Sequence, residues 1–402
     1  MRLASKARET SRGVNWANSL RPRGGSRDPP EKIRMLKPRA ISHSIDWFLI
    51  VSVVLISIGG ILNLYSAVSF SMGRDLYLTQ IYWYAFGTVM AVVVATIDYR
   101  TFEKYAYVLY GVGILLLFAV LLFGREINGS RRWLEIGGFN LQPSELMKVF
   151  ILLAIGKYIA SQPSRETSTF ADVGVLGFLT FMPMLLVMKQ PDLGTALILF
   201  IIFLTVLFLY RLKLTSILMS LILVSFAVPI SWTYLLQGYQ RQRILTFLNP
   251  EADVLGSGWH AYQSQIAIGS GHIFGKGLMN STQNSHGFLP AHATDFPFSV
   301  WCEEQGLVGS LLILFFYLMF IVLALRVASN ARDRFALIVS FGIANIFFWQ
   351  SFLNIGMVSG VLPIVGVTLP FFSYGGSSVF MALLCVGILL NFSMRREAQQ
   401  TL

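Results

Sequence analysis

Cysteine is nearly absent from this chain. Cys302 and Cys385 are its two cysteines, with neither a CxxC spacing nor the even set of a disulfide framework. Its five histidines fall at spacings that match no Cys/His metal motif. Charge is also scarce: Asp, Glu, Lys and Arg together make up 13% of the residues. So little charge cannot supply the surface of a soluble domain of this length. No internal repeat is visible, which removes the usual mark of an inverted-repeat transporter. What fills the chain instead is apolar, 55% of residues with a mean hydropathy of +0.63.

The apolar residues come in long runs such as Trp47–Leu64, Val108–Phe123 and Leu193–Tyr210. Each is long enough to cross roughly 30 Å of hydrocarbon as a helix. Within lipid such a run must be helical, because a helix satisfies its own backbone hydrogen bonds. The fold expected is an all-α polytopic membrane protein with about ten transmembrane helices. They are placed near 46–69, 80–97, 103–123, 144–161, 171–189, 192–211, 214–236, 298–328, 334–358 and 371–393.

Charge distribution sets the expected orientation. With both termini cytoplasmic, 21 Lys and Arg fall on the cytoplasmic side and 8 on the other. The positive-inside rule then favours both ends inside. The net charge of +11 lies mostly beside an anionic leaflet and calls for no nucleic-acid partner. Residues 1–40 are basic, rich in Gly, Ser and Pro, and read as a disordered cytoplasmic tail without a signal peptide. Met35 is a candidate start. Residues 41–396 form the membrane domain and 397–402 a short cytoplasmic tail.

One interval breaks the apolar pattern. Between about 237 and 297 the chain is polar for some sixty residues, which the orientation places outside. A long connector of mixed chemistry is where function is expected. A shorter connector, 124–143, and a Gly/Pro-rich stretch, 359–378, share that side. The second of these is expected to hold broken-helix backbone, packed in protein or lining a cavity.

Ionisable residues at or inside the spans are the candidates for chemistry. Glu145 and Lys148, three apart, share a helix face; they either lock helices as an ion pair or shape a polar cavity. Asp192 follows Gln190-Pro191 and suits a helix N-cap as well as a cavity wall. Arg131, Arg132, Arg241, Arg243 and Lys276 crowd two outer connectors. Each alone suits a solvated surface; together they suit an anion, since guanidinium groups match phosphate oxygens. Asp295, bracketed by Phe288, Phe296 and Phe298, suits a general base or the N-cap of the next span. Glu303 and Glu304 lie a turn or two further on and are either supporting partners or a polar helix face.

At this point the residues match a pattern. NGSRRW (128–133), QPSELMK (142–148), QPDLGTA (190–196), RILTFLNPE (243–251), YQSQIAIGSG (262–271), GKGLMNSTQ (275–283), FLP…TDF (288–296), EEQGLVG (303–309) and LPFFSYGGSS (369–378) occur in order. The chain resembles the SEDS family (shape, elongation, division and sporulation), the polytopic peptidoglycan polymerases that include RodA and FtsW. NIGMVSGVLPIVGVTLPF (354–371) leans towards the elongation branch, RodA. Two departures stand out. Where the family reads LPE-x-HTDF, this chain has Ala291 for the glutamate and Ala293 for the histidine. Thr294 and Asp295 keep their register.

The resemblance implies a glycosyltransferase that polymerises lipid II at the outer face of the bacterial cytoplasmic membrane during elongation. Asp295 would be the general base of an inverting displacement, and the five cations would hold pyrophosphate. Glu145, Lys148, Asp192, Thr294, Glu303 and Glu304 would shape the cavity. Magnesium or manganese is an expected cofactor. Expected partners are lipid II, a class B penicillin-binding protein, other membrane proteins of the elongation machinery and the lipids themselves. A lipid II flippase, a division or sporulation member and a scaffold for cell-wall enzymes remain alternatives.

Overall fold

The computed structural model describes residues 45–69, 75–127, 130–137, 139–162, 170–209, 233, 238–248, 257–289 and 293–395. The N-terminal tail with Met35, nearly all of the span expected at 214–236, residues 397–402 and the departures at Ala291 and His292 lie outside them.

Seven described helices are long and apolar enough to cross a bilayer. They are α1 (Trp47–Val68), α2 (Leu76–Thr96), α3 (Tyr99–Phe123), α5 (Phe170–Lys189), α10 (Pro297–Ser329), α11 (Arg334–Val358) and α12 (Gly376–Met394). The expected spans at 144–161 and 192–211 are also helices, α4 (Pro143–Ser161) and α6 (Leu193–Leu209). α4 carries three charges, and α6 is only 17 residues long. Aspartates start several of these helices: Asp98 accepts from Arg100 N at 3.0 Å and Asp333 from Ala336 N at 2.8 Å. α4 is buried on nearly every side, between α3 and α11. α2 and α3 instead expose Val89, Val92, Leu115 and Leu122, the faces a lipid solvent would cover.

Much of the described part of the polar interval is helical, which the sequence reading missed. It holds α7 (Gly238–Leu248), α8 (Ser257–Ser270) and the single turn α9 (Thr282–Ser285). The expectation of an all-α chain is also corrected. The connector at 124–143 forms a small antiparallel sheet, β1 (Arg125–Ile127), β2 (Ser130–Ile136) and β3 (Phe139–Leu141). Ile127 pairs with Ser130 across Asn128-Gly129, and Ile136 with Phe139 across Gly137-Gly138. Two-residue links of that composition are strong hairpin signals, so the sheet was legible in the sequence.

The span expected at 298–328 is sharply broken. Gly306 has φ 64° and ψ −162° inside α10. Trp301 Nε1 donates to Gly309 O at 3.0 Å, and Ser310 Oγ to Cys302 Sγ at 3.1 Å. Residues eight apart on a straight helix would be about 12 Å apart along its axis, so the two arms fold back on one another. Segment 271–277 fills the break: Leu307 N donates to His272 O at 2.9 Å, and Gly277 N to Glu304 O at 2.9 Å. A Cβ on Gly306 would meet Gly275 N at 2.3 Å, so only glycine fits. The short arm, 297–305, starts beside Asp295.

The stretch between α11 and α12 is non-helical, as expected. Side chains from several helices satisfy its backbone. Tyr317 donates to Pro370 O at 2.5 Å, Gln80 to Ser373 O at 3.1 Å and Asn354 to Val367 O at 2.7 Å.

Candidate active site

Asp295 sits in the turn that enters the short arm of α10, beneath the stretch between α11 and α12. It is not a helix cap: the N-cap of α10 is Phe296, with Pro297 at the first helical position. Its backbone is pinned instead. Asn354 Nδ2 donates to Asp295 O at 3.0 Å, and Tyr374 N to Ala293 O at 2.8 Å. The carboxylate is partly buried, with the Thr294 hydroxyl as a hydrogen-bond partner and Arg243 and Arg132 close enough to act on it. Burial pushes its pKa above the ordinary carboxylate value, outweighing the opposing pull of Arg243, Thr294 and Arg132; Asp192 adds a small upward push. Gly366 leaves the space between base and cation. A Cβ there would lie 3.6 Å from Asp295 Oδ2 and 3.8 Å from Arg243 Nη1.

Only two of the five candidate cations join this group, and secondary structure decides which. Arg131 and Arg132 are neighbours on β2, so they point to opposite faces. Arg131 turns outward to pair with Glu126 at 3.2 Å, both well exposed. Arg132 turns inward and donates to Gln190 O at 3.4 Å and to Pro191 O. Arg241 and Arg243 are two apart on α7, a spacing that separates them around a helix. Arg241 reaches Thr233 O at 2.8 Å, and Arg243 reaches Ile364 O at 3.3 Å beside Gly366. Lys276 lies with Glu303 at the other end of the short arm.

Asp192 is a helix cap that also links two helices. Its Oδ1 accepts from Thr195 N at 3.2 Å, capping α6. Its Oδ2 accepts from Gln142 Nε2 at 2.9 Å and Ser144 Oγ at 3.3 Å, joining α6 to α4 next to the site. Glu145 and Lys148 form a buried ion pair at 2.7 Å, with Glu145 Oε2 left without a hydrogen-bond partner. Glu303 is a structural anchor. It accepts from Lys276 Nζ at 2.6 Å, Thr282 Oγ1 at 2.7 Å, Thr282 N at 2.9 Å and Ser281 Oγ. Glu304 accepts from Ser66 Oγ at 2.5 Å and so ties the short arm to α1.

Sequence reasoning missed Asn354, Gly366 and Thr195. A lone asparagine in a span was the available signal for the first; nothing in the sequence pointed to the others as site residues. The described residues offer no ready-made cage for a divalent cation. Among them no three Asp, Glu, His or Cys side chains converge to hold one. Asp192 is already engaged in three hydrogen bonds, and Asp295 faces two arginines.

Known proteins resemble this chain in sequence and in fold. The FtsW/RodA/SpoVE family model, described as a cell cycle protein, matches residues 43–398. The peptidoglycan glycosyltransferase MrdB of Escherichia coli K12 is 42% identical over 78% of this chain and 84% of its own length. The peptidoglycan glycosyltransferase RodA of Treponema pallidum is 30% identical over 90% of this chain and 100% of its own. Among solved structures, a chain from a study of "structural coordination of polymerization and crosslinking by a peptidoglycan synthase complex" superposes with a TM-score of 0.75. It is 32% identical, covering 88% of this chain and 99% of that one. The rod shape determining protein RodA of Thermus thermophilus gives 0.66 at 30% identity, covering 88% of this chain and 98% of that one. The motifs, the helical membrane architecture and these matches agree: this chain belongs to the FtsW/RodA/SpoVE family.

Proposed function

We propose that this protein is the elongation-type peptidoglycan glycosyltransferase of a bacterial cytoplasmic membrane, joining lipid II units into glycan strands on the outer side. Family membership supports the activity. The observation that carries the chemistry is the meeting of one carboxylate, Asp295, with two guanidiniums, Arg132 and Arg243, brought from three separate segments of chain.

Asp295 removes the proton from the acceptor 4-hydroxyl. That oxygen attacks the donor anomeric carbon from the face opposite the leaving group. The bond to the pyrophosphate oxygen breaks, and its electron pair leaves with undecaprenyl pyrophosphate. The anomeric configuration inverts. Arg243 and Arg132 meet the charge that develops on the leaving group. A carboxylate whose pKa is raised by burial holds a proton more strongly than an exposed one, as a general base requires. Glu145–Lys148, Asp192, Glu303 and Glu304 keep the elements of this site in place. Magnesium or manganese would arrive with the pyrophosphate, and an EDTA titration of the reaction tests whether it takes part.

Ten spans, cytoplasmic termini and an outward-facing 237–297 segment complete the reading, supported by the positive-inside count. A class B penicillin-binding protein is the expected partner, in line with the synthase complex among the structural relatives. Purified protein in detergent, given labelled lipid II, should form glycan strands. Detergent has no sidedness, so strand formation separates a polymerase from a flippase. Binding without polymer would refute the proposal.

A further inference from the structure

Two lysines where α3 begins and α4 ends take no part in the reaction. Lys104 stands in the second turn of α3, and Lys157 lies within α4, about a turn before its end at Ser161. Lys157 Nζ crosses between the helices and donates to Lys104 O at 2.7 Å. The same ammonium lies over the Tyr107 ring, 4.7 Å from its centre, and Lys104 Nζ lies 5.2 Å from the centre of the Tyr105 ring. A lysine serving only to reach water would run its stem out past the helix end. Lys157 instead turns across to its neighbour, so two cations from two helices gather beside two tyrosines. Among the described residues neither lysine has an ion-pair partner. Glu103 is within electrostatic reach of Lys157, but Arg100 is within its reach too, so the group keeps a net positive charge.

The surroundings suit a lipid headgroup. α3 has 25 residues, roughly 37 Å of helix, and the hydrocarbon core takes up roughly 30 Å of that. Its ends therefore reach the interface, where tyrosine and lysine collect. Beyond the lysines the outward face of α3 is apolar: Val108, Leu115, Phe118 and Leu122 are all exposed. Their helical spacing lines them up as one stripe. Gly111 falls on that stripe between Val108 and Leu115. A Cβ there would meet nothing within 4 Å, so the glycine leaves a shallow trough. From Val108 to Phe118 the stripe covers roughly 15 Å, half the hydrocarbon core.

We propose that this is a binding site for an anionic phospholipid, with its phosphate on Lys104 and Lys157 and an acyl chain along the α3 stripe. The phosphate oxygens accept from the ammonium hydrogens that the protein leaves unused. A zwitterionic lipid brings its own ammonium to the same place and cancels much of the attraction. An apolar helix of another protein would cover the stripe and give the two cations nothing. The site lies at the end of the bundle that the positive-inside count assigns to the cytoplasm, where the leaflet carries negative charge. The lipid clasps the two helices between which the β1–β3 sheet and its Arg132 are strung. The inference does not depend on the reaction that the protein catalyses.

Native mass spectrometry of the full-length protein in detergent tests it. The probes are phosphatidylglycerol, cardiolipin and phosphatidylethanolamine with matched acyl chains. The wild type should bind its first anionic lipid roughly thirtyfold more tightly than phosphatidylethanolamine, which is about 1 kcal/mol for each lysine. Either order of the two anionic lipids supports the site: cardiolipin leads if both of its phosphates are held, and phosphatidylglycerol equals it if one is. Lys104→Gln with Lys157→Gln should abolish the preference. Arg326→Gln with Arg332→Gln removes the same charge from the same end of the bundle and should keep it. A lysine variant that keeps the preference, or an arginine variant that loses it equally, overturns the site, since the attraction then belongs to the whole face. A photoreactive side chain in place of Val108, with both lysines intact and the protein in its native membrane, separates the occupants. A phospholipid adduct supports the proposal, and a protein adduct overturns it.

Discussion

Replacing Asp295 by asparagine should separate activity from stability. Burial raises the Asp295 pKa and the two arginines only partly offset it, so the folded protein favours the protonated form more than the unfolded chain does. The stabilising contribution of a group shifted in this direction is present below the ordinary carboxylate range and is lost as pH rises through the raised value. At neutral pH the ionised group is therefore a net cost to folding, and asparagine, which keeps the shape, removes it. Asp295→Asn should melt at the same temperature as the wild type or slightly higher. Polymerisation should fall by roughly 10²–10⁴-fold, about 3–5 kcal/mol of barrier, which is the usual contribution of a positioned base. Wild-type activity should rise with pH through a limb above the ordinary carboxylate range. Arg243→Gln removes the cation that most lowers this pKa and should move that limb to higher pH. The assays are lipid II polymerisation from acid to alkaline pH and thermal unfolding in the same detergent. A variant that melts several degrees lower while keeping its rate would show that Asp295 serves the fold and not the reaction.

The buried Glu145–Lys148 pair should show strong coupling. Lys148→Met alone should cost about 3–5 kcal/mol by stranding a buried carboxylate, and Glu145→Gln with Lys148→Met distinctly less, read from a double-mutant cycle of unfolding. Glu303→Gln removes the charge from an anchor that accepts four or more hydrogen bonds; it should destabilise by about 2–4 kcal/mol and expose segment 276–283 to a protease. Gly306→Ala should fail to accumulate as folded protein, since its Cβ would meet Gly275 N and its φ of 64° is strained for alanine. Arg131→Gln breaks only an exposed pair and should change stability by about 0–1 kcal/mol and leave polymerisation at its wild-type rate.

The membrane helices were legible because hydrocarbon permits few alternatives: a long apolar run must be a helix, and α11 matches its expected bounds of 334–358. The sheet in the first connector was legible too, in Asn128-Gly129, though a search for spans passes over three-residue strands. The break in α10 was not, because Glu303-Glu304-Gln305-Gly306 reads as a helix with one glycine until the partner segment 271–277 is placed against it. The same limit applied to the cations. Adjacent arginines look equivalent in a string of letters. The period of the element that carries them, two on β2 and 3.6 on α7, sends Arg132 and Arg243 inward and Arg131 and Arg241 away.

By itself, then, the sequence determined that this is a membrane protein, which family it resembles, and which single carboxylate to suspect. Those follow from composition, local period and motif, and none of them requires knowing what lies beside what. Only the tertiary structure decided the surroundings of that carboxylate: Arg132 from a hairpin, Arg243 from a short helix, and Asn354 from a span 59 residues further on. Proximity between distant segments is a property of packing, and packing in this protein is set by close helix contacts and satisfied backbone groups that no local stretch of the sequence contains.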